Sequence, residues 1–398
     1  MTKPSDRIIN MAESATLAMA AKARELAQQG VEVISLSLGE PDFKTPQHII
    51  DGTIAAMQSG KYFAYPPVNG YLDLRQAISK KFKEDNGLDY TAEQIVVSNG
   101  AKQSIANVFL ALLNPGDEVI IFSPFWVSYT AMVELAEGVP VFVHGGIEHD
   151  FKATAAQLKA AITPKTKAVI FSSPCNPTGS VFTKEELEAI AAVLAPRPDI
   201  IFISDEIYEM INFTGKHVSI GTLPGMLERT VTVNGFSKGF AMTGWRVGYI
   251  GAPLWLAKAA NKMQGQYTSA NSSISQRAAY VALTTSREPS VKMAEAYLKR
   301  RDLVYKLLTE IPGLEVNMPT GAFYFFPNVK AYMGKKHAGG TIQTPGDLCL
   351  YLLEDALVSL VGGEDFGAPD CVRLSYAASE NDLKTALARI KESLAKLK

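Results

Sequence analysis

Cysteine is scarce and unpaired. The chain has three, Cys175, Cys349 and Cys371, an odd number without the spacing of a disulfide framework or a zinc site. Reduced structural thiols are expected, and no metal. No histidine stands beside Cys175, so nothing in the sequence marks it as a catalytic thiol. No apolar run approaches the roughly 20 residues that cross a bilayer, and Met1 to Asn10 lacks the apolar segment of a signal peptide, so the expected location is the cytoplasm. Charge of neither sign dominates. Lys plus Arg total 39 against 40 for Asp plus Glu, a formal net charge of -1, which provides no basic field to gather nucleic acid. The local cluster Lys80, Lys81 and Lys83 reads as a solvated helix face. Internal repeats, low-complexity tracts, long linkers, a P-loop and a GxGxxG fingerprint are all missing.

What is present is an ordinary globular composition, 47% hydrophobic and 20% charged over 398 residues. That length exceeds what one core usually fills, so two domains are expected. Short β-rich runs alternate with helical stretches. The runs are 94–98, 118–122, 139–144, 168–172, 200–204, 230–234 and 245–251. They are rich in Val, Ile and Phe and bounded by Gly, Pro, Asp or Asn. Most are apolar throughout, which suits a sheet buried on both faces. Helical patterns lie between them: one at 102–113, and one at 183–194 that opens with the capping-box order Thr183 to Glu186. Such alternation predicts an α/β fold, a mainly parallel seven-stranded sheet with helices on both faces. After about residue 290 the pattern changes to a long charged helix (292–309), strands at 321–327 and 371–375, and a last helix (380–397), a smaller α+β domain. The expected division is a large domain at 49–291 and a small one made of 1–48 and 292–398. The segment 332–340, with Lys335, Lys336 and His337, reads as a mobile surface loop.

Ligands of such sheets bind beyond the carboxyl ends of the strands, and the chemistry-bearing residues follow those ends. Asp205, in Ser204-Asp205-Glu206-Ile207-Tyr208, comes directly after an apolar run; alone it could be a helix cap. Lys238 follows the run at 230–234 and is succeeded by small and apolar residues. Desolvation there disfavours the ammonium and favours the neutral amine that imine formation needs. Ser173-Pro174-Cys175-Asn176-Pro177-Thr178-Gly179 is a rigid loop presenting the Asn176 amide. Ser98-Asn99-Gly100-Ala101-Lys102-Gln103 ends a strand and begins a helix, whose free N–H groups suit a phosphate.

In this order and strand context the pieces resemble the class I aminotransferases of pyridoxal-phosphate fold type I, most closely the bacterial aspartate aminotransferases with a Ser-Ala-Thr segment near the N-terminus. The resemblance runs from Ser14-Ala15-Thr16 through Gly39-Glu40-Pro41-Asp42-Phe43, Tyr65, Pro124-Phe125-Trp126, Asn176-Pro177-Thr178-Gly179 and Thr243-Gly244-Trp245-Arg246 to Arg373-Leu374-Ser375. It implies the cofactor pyridoxal 5′-phosphate, joined covalently to Lys238, whose freed amine then moves the substrate proton. It implies that Asp205 pairs with the pyridine N–H, and that Tyr208 and Asn176 bond the ring oxygen. Trp126 would stack on the ring; without the resemblance it reads as a core aromatic. Gly100, Ala101 and Arg246 would hold the phosphate. Tyr65 would reach the phosphate of a neighbouring subunit, implying a two-fold homodimer. Arg373 would grip the substrate α-carboxylate, with Gly39 against the same end. One departure stands out: many relatives carry serine three positions before the lysine, where this chain has Gly235, and Ser237 is given no phosphate contact.

Thr16 and Lys102 match the positions that receive the distal carboxylate of an acidic substrate. The expected activity is therefore transfer of an amino group between amino acids and 2-oxo acids, from aspartate to 2-oxoglutarate. Aromatic substrates, prephenate and kynurenine remain open, as does a β-lyase on the same fold. Regulators that use this fold carry a DNA-binding domain ahead of it. Only about 13 residues precede Ser14 here, and with a near-neutral charge that reading is disfavoured.

Overall fold

The computed structural model describes residues 2–9, 11, 13 and 15–398, so Ser14 of the Ser-Ala-Thr segment lies outside the described residues. The apolar runs form one seven-stranded sheet. From edge to edge its strands are Ile95–Ser98, Gly248–Gly251, Thr230–Gly235, Ile201–Asp205, Thr166–Ser172, Glu118–Ser123 and Val139–His144. Gly248–Gly251 alone runs antiparallel to both neighbours; the other pairs are parallel. The unbroken apolar runs have a direct cause. Val119, Ile121, Ile170 and Ile203 pack into one core, while Ile120, Val169, Phe171 and Phe202 pack into another. Successive side chains point to opposite faces, and both faces are covered. Each such burial contributes about 1.5–3 kcal/mol.

Helices Ala101–Leu112 and Leu254–Tyr267 share the first core, and Lys184–Leu194 shares the second. The capping box expected at Thr183 is present, with Glu186 N donating to Thr183 Oγ1 at 3.2 Å and Thr183 N donating to Glu186 Oε2 at 2.7 Å. The last strand starts later than the expected 245. Thr243–Trp245 is a 3-10 turn and Arg246 takes a left-handed φ of 56°, which turns the chain before pairing begins at Gly248.

Elsewhere Val361–Gly362, Val372–Ser375 and Tyr324–Phe325 form an antiparallel sheet, and Ile34–Ser35 pairs in parallel with Val358–Ser359. Around these sheets, Met19, Ala23 and Leu36 from the N-terminal segment bury with Leu348, Leu352, Leu383 and Leu387 in a cluster that also takes in Ile207 and Tyr208. The segment read as a surface loop is instead a short hairpin. Lys336–His337 pairs with Gly340–Thr341, Lys336 and Lys398 exchange backbone hydrogen bonds at 2.8 and 3.1 Å, and Tyr332 is buried.

Candidate active site

Parallel register brings Ser172 beside Asp205 at the carboxyl ends of their strands. Asp205 is buried, and its carboxylate accepts from the Tyr129 hydroxyl at 2.6 Å and from the Ile207 amide at 3.3 Å. Burial pushes its pKa up to about 6, with the tyrosine hydrogen bond pulling the other way. Tyr129 was not singled out by the sequence. Its signal was its place three residues past Trp126, whose ring it meets edge-on at 5.6 Å.

Lys238 Nζ donates to the carbonyl of Gly39 and sits 5.6 Å from the centre of the Tyr208 ring. Burial brings its pKa down to about 8. A lysine depressed in the folded state destabilises the fold below the folded value, and the deficit shrinks as pH rises from 8 towards the unfolded value of 10.5. Lys238→Met should therefore raise the melting temperature of cofactor-free protein at pH 7 by about 2–5 °C. The gain should shrink above pH 8. A pH-independent gain would contradict the depressed lysine.

Gly100 precedes helix Ala101–Leu112 with φ 83°, and a side chain there would collide with the Arg246 guanidinium. A Cβ at Gly248 would collide with the Ala101 amide. Bare backbone on two sides thus lets a helix N-terminus and a guanidinium converge, an anion cradle by construction. Arg246 donates to the carbonyls of Thr243 at 3.0 Å and Asn99 at 3.3 Å, and its own carbonyl accepts from Asn271 at 2.7 Å. The Gly235 departure also has a steric reason: a Cβ there would lie 2.9 Å from the Val247 carbonyl and 3.0 Å from Gly248 Cα.

Opposite lies Arg373, a large side chain only 2% exposed. It donates to Asn176 Oδ1 at 2.9 Å, the Ser37 carbonyl at 2.6 Å and Thr16 Oγ1 at 3.4 Å. The Tyr324 and Phe366 rings each lie 4.8 Å from its guanidinium carbon. Tyr324, also missed from sequence, shares a 2.6 Å hydrogen bond with the Tyr208 hydroxyl, and a side chain at Gly39 would strike its hydroxyl. Burial and the Tyr324 contact hold the Tyr208 phenol well above its ordinary range. Lys102 Nζ lies 5.0 Å from the centre of the Trp126 ring; burial, then the nearby Arg246 charge, lowers its pKa.

These groups share one cavity of about 460 Å³. Thr16, Gly39, Ala101, Lys102 and Trp126 line it, as do Asn176, Asp205, Tyr208, Lys238, Arg246 and Arg373. Ser237 and Tyr324 line it too. Gly100 abuts it through Ala101. Tyr65, 95% exposed, is not among the lining residues.

The family model for aminotransferase class I and II matches residues 31–390. This chain belongs to the class I and II aminotransferases. It is 47% identical over 99% of its length to a bifunctional aspartate aminotransferase and glutamate/aspartate-prephenate aminotransferase of Petunia hybrida, covering 83% of that protein. It is 46% identical to an aspartate aminotransferase of Geobacillus stearothermophilus, over 98% of each chain. Among solved structures, the aspartate aminotransferase of Rhizobium meliloti superimposes with a TM-score of 0.95 at 41% identity over the whole of both chains. That of Thermus thermophilus with maleate gives 0.92 at 43% identity, over 99% of this chain and 100% of the other. Aminotransferases of this class work with pyridoxal 5′-phosphate. The cavity fits that group: it has a depressed amine for an aldehyde, a buried carboxylate for a ring nitrogen, and a cradle for a phosphate.

Proposed function

We propose that this aminotransferase carries the amino group of L-aspartate to 2-oxoglutarate, giving oxaloacetate and L-glutamate in two half-reactions. The observation that carries the reading is a single cavity presenting two cations beyond the two given to the cofactor, Lys238 and Arg246: the buried Arg373 fork and Lys102 over Trp126. A dicarboxylate satisfies both. A neutral amino acid leaves Lys102 unpaired, a loss of about 1–3 kcal/mol. The names of the relatives point the same way. The Petunia name, and those of relatives called aspartate/prephenate aminotransferase, add prephenate as a second acceptor.

In this reading Arg373 grips the α-carboxylate in a planar fork, with Asn176 and Thr16 holding the guanidinium. The Lys238 amine would move a proton from the substrate α-carbon to the cofactor carbon, a task for which a pKa near neutrality is suited. Asp205 would keep a proton on the cofactor's ring nitrogen, while Tyr208 and Asn176 would donate to the ring oxygen. Trp126 would stack on the ring. Gly100, Ala101 and Arg246 would hold the phosphate. Bound pyridoxal phosphate supplies the aldehyde that takes the amino group and a ring that accepts electrons.

Steady-state kcat/KM over aspartate, glutamate, alanine, phenylalanine, kynurenine and prephenate tests the assignment. Aspartate should lead the donors. Lys102→Ala should lower kcat/KM for aspartate about 10- to 100-fold and leave alanine within about threefold. A lead for phenylalanine or kynurenine over aspartate would reject it.

The chain is further proposed to act in the cytoplasm as a two-fold homodimer, with Tyr65 reaching the partner's phosphate. Phe63, Tyr65 and Tyr267, at 72%, 95% and 74% exposure, are large rings that an interface would cover. A monomer at micromolar concentration in sedimentation would oppose this. Shared burial of Met19, Ala23 and Leu36 with the C-terminal helices supports a division into 49–291 and 1–48 with 292–398.

A further inference from the structure

Behind the turn that carries Asp205 and Tyr208 lies a second polar assembly, outside the cavity. Lys81, expected on a solvated face, is instead 3% exposed. It is paired with Glu209 and donates to Asn86 Oδ1 at 2.7 Å. Asn86 reaches Glu209 at 2.6 Å from a π-turn, Phe82–Asn86, closed by Gly87 at φ 72°. Such turns recur at functional sites. Glu206, 1% exposed, accepts from Ser204 at 2.8 Å, Ser219 at 2.5 Å and His217 Nε2 at 2.9 Å. Burial works against a charged His217, but the Glu206 and Glu209 carboxylates together outweigh it, so the imidazole pKa is raised. Glu206, Glu209 and His217 bring their ligand atoms within 4.8 Å of one another, as a metal site would; here the Lys81 ammonium is the cation among them. Two carboxylates thus face one ammonium and one imidazole that their charge makes easier to protonate.

The chain order explains the placement. In Asp205-Glu206-Ile207-Tyr208-Glu209 the first and fourth residues line the cavity while the second and fifth enter the cluster. The turn is closed by Glu209 N on the Glu206 carbonyl at 2.9 Å. Buried ion pairs seldom stabilise more than a well-packed apolar substitute would, so raw stability is a poor account of four ionisable groups here. We propose that Glu206, Glu209, Lys81 and His217 are positioning residues: a charge-balanced cluster that fixes the turn bearing Asp205 and Tyr208 and sets the electrostatic background in which they act. This rests on the roles given to Asp205 and Lys238 above.

The groups around His217 are Glu206 and Glu209 on the turn, Lys81 and Asn86 on the helical segment, and Ser219 on its own loop. Tyr90 and Tyr249, phenols held far above their ordinary range by burial, stand near the two carboxylates. The Arg287–Asp85 ion pair lies beyond Tyr249. His217→Gln keeps a donor for Glu206 but leaves the cluster one negative charge in excess. A negative charge favours the protonated form of nearby groups. The visible absorbance of the cofactor joined to Lys238 should therefore titrate about 0.5–1 unit higher than in the native holoenzyme. Adding Glu206→Gln restores neutrality and should bring the titration back to within about 0.3 unit.

If His217→Gln does not fold, Lys81→Met followed by Lys81→Met with Glu209→Gln makes the same comparison, with the same signs expected. A purely structural cluster predicts otherwise: unchanged titrations, or a double variant displaced further than the single. Either result overturns the inference. A native holoenzyme without Lys238-dependent absorbance would instead overturn the function reading itself.

Discussion

Lys238→Ala should lose about four orders of magnitude in kcat/KM while the folded protein still binds the cofactor noncovalently. The size follows from two losses at once. General acid–base transfer by a placed side chain is worth about 10²–10⁴-fold, and the covalent attachment that readies the cofactor aldehyde for exchange disappears as well. No neighbour can substitute. Lys102, the other lysine lining the cavity, lies over Trp126, whereas Lys238 is held at Gly39 beside Tyr208. Stopped-flow single turnovers with aspartate measure the effect directly. Retention of more than about one per cent of the native rate would assign the proton transfer to another group.

Arg373→Ala should be nearly as damaging, with a different signature. Two charge-assisted hydrogen bonds at about 1.5–3 kcal/mol each correspond to a loss of about 10²–10⁴-fold in kcat/KM for every amino acid substrate. The variant also strands buried groups, since Asn176 Oδ1 and the Ser37 carbonyl both accept from this guanidinium. Arg373→Lys retains charge but cannot form the planar fork, and should recover only a small part of the activity. The loss should be common to aspartate, alanine and phenylalanine, in contrast to Lys102→Ala, which should discriminate among them. A loss confined to aspartate would move the α-carboxylate contact elsewhere. Because the Arg373 charge helps lower the Lys238 pKa, Arg373→Ala should also move the cofactor absorbance titration upward, whereas Arg373→Lys, which keeps the charge, should leave it near native.

The contrast between those residues and the ones missed shows what a sequence conveys. Strand positions were legible because burial on both faces demands unbroken Val, Ile and Phe. The cap at Thr183 was legible because its partner is three residues away. Asp205 and Lys238 were legible as groups following strands, and Arg373 through resemblance. Tyr129 and Tyr324 were not, because their partners lie 76 and 116 residues distant in sequence, and an aromatic in an apolar stretch reads as core. Lys81 was misread for a related reason. Its neighbours Lys80 and Lys83 are exposed, and nothing local indicates that Glu209 and Asn86 wait on the inner side. The hairpin near 336–341 went unseen because two-residue strands carry no period to detect. The later start of the strand at Gly248 followed from the 3-10 turn at Thr243–Trp245 and the left-handed Arg246, which a strand propensity cannot express.

The central claim concerns where the cofactor attaches. Intact holoenzyme supplied with pyridoxal phosphate, reduced with borohydride and mapped by peptide mass spectrometry, should carry one adduct per chain, on the peptide containing Lys238. An adduct on Lys102 or any other lysine, or none despite bound cofactor, would contradict the account.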